Sequence, residues 1–138
     1  MVTPAFVDRL QLQQDGAGWW VLLSEFRFDS AVLGARVIVP AGFRTNLASV
    51  PRIPLAYWLA GGTAQAAAVL HDYLYRTKLF ARVYADAVFY EATETDGSAV
   101  GIPAESAWRR WIMWAMLRVF GGSAYRTLMR RLRARGVR

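Results

Sequence analysis

Apolar and polar positions change their period once along the chain. Over the first third the alternation is short. "FVDRLQLQ" alternates, "WVLLSEFRFD" follows a turn at "GAGWW", and "ARVIVP" is β-branched and closes on Pro40. A period of two with turn residues between the runs predicts strands. The Asp15-Gly16 step supplies the residues of a hairpin turn. "PAGFRTNLASVPRIP" then breaks the pattern. Gly42, Pro51 and Pro54 set its corners, and Thr45, Asn46 and Ser49 offer side chains that can bond backbone. Such a loop in a small domain is either functional or a crossing between layers.

After Gly61-Gly62 the period becomes helical. Thr63 is a good N-cap for "AQAAAVLHDYLYRTK", whose alanines suit a helix packed closely on its neighbours. A second helix is expected through "ARVYADAVFYEATE", stopping near Asp96-Gly97. A third starts near Pro103 with Glu105 in its first turn and ends at Gly121-Gly122, and a fourth starts at Ser123. Strands followed by helices predict an α+β domain: a small antiparallel sheet packed with three to four helices. The 138 residues fit a single domain, with a β-rich part and long loop over 1–60, a helical part over 61–122 and a basic helix over 123–138.

Composition narrows the chemistry. There is no cysteine, which excludes disulfides, thiolate metal sites and cysteine nucleophiles. The N-terminus has neither a basic start nor a long apolar run, so no signal peptide is expected. "AWRRWIMWAMLRVF" is interrupted by three arginines and is too short to span a bilayer. The net charge of +7 is uneven: nine arginines and no acid lie between Ser106 and Arg138, against −2 for the rest. The basic part therefore speaks of a partner and not of the fold. Tyr125, Leu128, Met129 and Leu132 form one apolar stripe, with Arg126, Arg130, Arg131, Arg133 and Arg135 around it. Three uses fit: a stripe packed on the domain with solvated arginines, docking on an anionic membrane, or contact with nucleic acid or an acidic subunit. Trp108, Trp111 and Trp114 suit core packing or a membrane-facing belt, and Trp19 and Trp20 must point to opposite sheet faces.

The chain has one histidine, His71, followed by Asp72. On a helix His71 shares a face with Tyr75, Asp72 is turned away, and Leu70 and Leu74 mark the buried side. On the second helix Asp86 lies beside the apolar stripe of Val83, Ala87 and Tyr90. An unpaired carboxylate there would be costly to bury, and His71 is the natural partner. Asp86 would then fix the tautomer of His71 and leave the other ring nitrogen free to act as a base on water. Asp72 could hold a hard cation together with backbone carbonyls of the "FRTNLASVPR" loop and Asn46, and Tyr75 and Tyr90 could hydrogen-bond Asp86. The plainer alternative is a structural His–Asp contact between two helices.

The set "VPAGFRTNLASVPR", "AAAVLHDYLYR" and "ADAVFYEA" resembles the phage and prophage family catalogued as domain of unknown function number 1353, from about Val37 to Phe120. The resemblance implies a phage source, a virion or host-cytoplasmic location and other phage structural proteins as partners, and no established activity. The family pattern has an acid where this chain has Asn46, which weakens any role for an acid there. Locally, "HDYLYR" with "ADAVFYEA" is also similar to the active-site helices of secreted sn-2 phospholipases. That resemblance implies His71 as base, Asp72 as calcium ligand and Asp86 as orienting residue, supported by Tyr75. The disulfides and the Gly-rich calcium loop of those enzymes are absent here. Two readings follow: a tail- or virion-associated structural protein, or a small hydrolase acting on lipid esters or peptidoglycan of the host envelope. A hydrolase requires the second nitrogen of His71 to open to a pocket.

Overall fold

The computed structural model describes residues 2–16, 18–45 and 63–102, together with Arg130, Arg131, Arg133 and Ala134. Six short strands come first: β1 (Ala5–Phe6), β2 (Leu12–Gln14), β3 (Trp20–Leu22), β4 (Phe26–Ser30), β5 (Ala35–Val39) and β6 (Arg44–Thr45). Two helices follow, α1 (Thr63–Thr77) and α2 (Arg82–Thr93), and then a 3-10 turn at Ser98–Val100. The domain is α+β. The helices expected over 103–122 and 123–138 lie outside the described residues, apart from the helical, exposed Arg130, Arg131, Arg133 and Ala134.

In place of one small sheet there are two, each antiparallel and three-stranded, ordered β1-β4-β5 and β2-β3-β6. The runs "FVDRLQLQ" and "WVLLSEFRFD" each break in the middle, and their halves join different sheets. In the first sheet β4 alternates: Phe26, Phe28 and Ser30 face in, while Arg27 and Asp29 face out. Pairing sets Phe26 against Val39 and Phe28 against Val37 and Phe6, so this face is apolar except at Ser30. Phe6 packs its ring 4.9 Å from Phe28 and 6.1 Å from Phe26. On the outer face Arg27 grips Asp8 through two bonds of 2.8 Å, and Arg36 holds the cross-strand Asp29 at 2.7 Å. Those guanidinium hydrogen bonds keep both carboxyls below the usual carboxylate range.

The second sheet begins as the Asp-Gly hairpin. Asp15 N–H donates to the Trp19 carbonyl at 2.8 Å, and Gly16 and Gly18 take the positive φ values that the turn requires. The chain returns through Pro40–Gly42, where Gly42, at φ 85°, donates to the Leu22 carbonyl. That turn brings β6 beside β3, with Trp20 opposite Thr45.

α1 is buried along most of its length: Ala66 through Asp72, and Leu74, have almost no exposed surface. Small side chains let neighbours approach such a helix closely. α1 packs most extensively on α2, to which a four-residue link, Lys78–Ala81, joins it. Lys78 stops α1 by turning to φ 53°, a left-handed conformation that suits glycine better than lysine. α2 buries Ala85 and the run Ala87–Ala92. Val83, expected on its apolar stripe, is 39% exposed.

The run Ala87–Ala92 includes a carboxylate. Glu91 is 2% exposed and caps the turn between β4 and β5. Ser30 Oγ donates to Oε1 at 2.7 Å, and the Ala31 and Val32 N–H groups donate to Oε2 at 2.8 and 3.1 Å. Leu33 N–H in turn donates to Ser30 Oγ. α2 is thereby fixed to the sheet. Burial raises the Glu91 carboxyl above its ordinary value, against the opposing pull of these donors.

Candidate functional site

The short link folds α1 and α2 into a helical hairpin, and that geometry brings His71 and Asp86 together. His71 Nε2 lies 2.7 Å from Asp86 Oδ1. A carboxylate oxygen accepts, so Nε2 is the donor of this bond, and in the tautomer it selects Nδ1 is the ring's acceptor. Nδ1 is buried and has no hydrogen-bond partner among the described residues. The ring is enclosed by aromatic neighbours: Phe89 meets it edge-on at 5.9 Å, and Tyr75 stacks on it at 6.1 Å. Tyr75 thus touches the site by stacking, not by a hydrogen bond to Asp86, and is itself 49% exposed. Tyr90 is buried in the core.

Burial within the pair is lopsided. The His71 side chain is 5% exposed and that of Asp86 is 26% exposed. Arg82, one turn before Asp86, approaches its other oxygen at 3.8 Å. Water therefore reaches the carboxylate end of the pair more readily than the imidazole.

Asp72 points away from the ring of His71 and is 1% exposed. Its Oδ1 pairs at 3.0 Å with Arg76 Nε, one helical turn on. Arg76 also donates to the Arg44 carbonyl at 2.7 Å. Among the described residues the Asp72 carboxylate and the Arg44 carbonyl converge on the Arg76 guanidinium. Among the described residues no three His, Asp or Glu side chains gather where they could hold a metal. Asn46 lies outside the described residues.

Around Arg76 the contacts continue onto the second sheet. Its guanidinium lies 5.5 Å from the Trp19 ring and 5.7 Å from that of Phe43, and Arg44 stacks over Trp19 at 4.5 Å. Arg44 pairs with Asp15 at 3.0 Å, and Phe43 meets Tyr73 edge-on at 5.4 Å. Arg76 is thus a bolt from α1 to β6, a use that suits the planar fork of arginine. Of the tryptophan pair, Trp19 is clasped by these arginines while Trp20 packs against the core. Sequence reasoning missed Arg76, although its place four residues after Asp72 on a helix was a usable signal. Of the arginines expected to meet a partner, Arg130, Arg131 and Arg133 are exposed on a helix, and Arg126 and Arg135 lie outside the described residues. No helix among the described residues is long and apolar enough to cross a membrane.

The fold and the site define a small α+β domain in which a helical hairpin, joined by a His–Asp pair, is bolted to two antiparallel sheets. The family model described as "Protein of unknown function (DUF1353)" matches residues 20–117, and the chain belongs to that family. The match starts at β3, well before the motifs that suggested it. No curated protein matches the chain, and no solved structure does.

Proposed function

We propose that the chain is a structural or accessory component of a phage particle, in which the His71–Asp86 and Asp72–Arg76 pairs fasten elements together instead of turning over a substrate. The order of burial in the His–Asp pair supports this. A general base must present to its substrate the nitrogen that the orienting carboxylate does not hold. Here that nitrogen is enclosed, and the carboxylate is the more exposed member. Virion or tail is the place implied by the family resemblance, with other structural proteins of the particle as neighbours. An α+β domain of three to four helices goes with this reading. Its exposed Arg130, Arg131 and Arg133 offer a cationic face to an acidic subunit, a nucleic acid or an anionic membrane.

One observation favours a second reading, a His/Asp-dependent hydrolase of lipid esters or peptidoglycan. The bond to Asp86 leaves Nδ1 in the tautomer a base needs, and a buried unbonded nitrogen calls for an explanation. Mass spectrometry of purified particles of the encoding phage separates the two. The protein should be present at a fixed copy number, and wild type and His71→Gln should show no difference in phospholipid or peptidoglycan turnover, with or without calcium. Absence from the particle refutes the first reading, and turnover that depends on His71 establishes the second.

A further inference from the structure

The link between α1 and α2 exposes more apolar surface than a solvated turn needs. Leu79 is 65% exposed, Phe80 42% and Val83 39%. Arg76, Lys78 and Arg82 alternate with them, and no acid occurs from Tyr73 through Ala85. The two carboxylates that engage this tip do so from the protein side. Asp72 is 1% exposed against 37% for Arg76, and Asp86 is 26% exposed against 69% for Arg82. With Arg76 tied back to β6, the tip shows solvent the Lys78 ammonium and the Arg82 guanidinium together with leucine, phenylalanine and valine side chains.

We infer that the α1–α2 tip docks on a lipid bilayer that carries anionic headgroups. The cations match the phosphates, and the apolar side chains between them enter the boundary between headgroups and acyl chains. A protein partner fits less well, because the centres of protein interfaces are depleted in lysine, and Lys78 stands in the middle of this tip. Long basic side chains with apolar stems are at home where one end is wet and the other is not. The inference does not depend on any chemistry at His71.

Co-sedimentation of the full chain with phosphatidylcholine vesicles, with and without phosphatidylglycerol, tests the inference. Binding should require the anionic lipid and weaken with added salt. Replacing Leu79 and Phe80 together with serine should weaken it about tenfold, and as both are exposed the variant should still fold. Lys78→Gly separates docking from folding. It should bind about fivefold more weakly. It should also melt higher than wild type, since glycine accepts the φ of 53° found there. The same losses should appear in a chain whose Arg130, Arg131 and Arg133 are glutamine. Tip variants that partition like wild type overturn the inference. So does binding that only the C-terminal substitutions abolish, or self-association through the tip without vesicle binding.

Discussion

Glu91→Ala should cost the fold about 3 kcal/mol or more, measured by urea unfolding at neutral pH. The cost comes from what is left behind. Ser30 Oγ and the N–H groups of Ala31 and Val32 all lose their acceptor in a place with little water to replace it. The turn between β4 and β5 then loses its tie to α2. Glu91→Gln should cost about 1 kcal/mol or less. An amide oxygen can accept both N–H groups, and the amide nitrogen can donate to Ser30 Oγ, which has room for a second donor beside Leu33 N–H. The two variants also separate in their pH dependence. Burial raises the folded-state pKa of Glu91 above the ordinary value of 4.5, so the native state holds the proton more tightly than the unfolded chain does. Stability from this group therefore rises as pH falls through the raised value toward 4.5, and it is lost again as pH rises. That slope should be present in wild type and absent in Glu91→Gln. An alanine variant as stable as the glutamine variant would show that the cap does not hold the turn.

Breaking the His71–Asp86 pair should cost about 2 kcal/mol from either side. His71→Ala removes a ring packed between Phe89 and Tyr75 and leaves a cavity. Asp86→Ala takes the acceptor from Nε2, so that both ring nitrogens of an enclosed histidine lack partners. The double variant should be about 1–2 kcal/mol more stable than the sum of the single losses implies, which is the coupling expected of side chains in direct contact. Asp86→Asn should cost about 1 kcal/mol or less, because an amide oxygen accepts the same proton. A coupling near zero would mean that the contact contributes nothing to holding the hairpin.

The helical hairpin and its His–Asp pair were legible in the sequence for a simple reason. Asp86 sat among apolar residues, and a buried carboxylate needs a partner within reach. The same rule would have exposed Glu91, flanked by Tyr90 and Ala92, but its partners lie about sixty residues earlier, in a turn that no local pattern links to α2. The split into two sheets was not legible, because alternation tells which face a side chain takes and says nothing of which strand it pairs with. Trp20 and Phe28 lie in the one run "WVLLSEFRFD" yet belong to different sheets. The spacing turned Asp72 away from His71 and suggested a hard cation beside it, where the structure places a positive side chain. That charge is Arg76, an i+4 neighbour, and a guanidinium competes for such donors as a metal ion does. The apolar tip was not legible because Val83 fits the spacing of a buried stripe, and spacing does not show whether a neighbouring element covers it.

Chemical modification of the single histidine tests the central claim most directly. Diethyl pyrocarbonate attacks an unprotonated imidazole nitrogen that it can reach, and one histidine gives one mass shift to follow. If His71 is a fastener with Nδ1 enclosed, the native protein should stay unmodified and react only as fast as it unfolds. Reaction of the native protein at the rate of a free histidine would contradict the account and show that Nδ1 opens to a space where a substrate could sit.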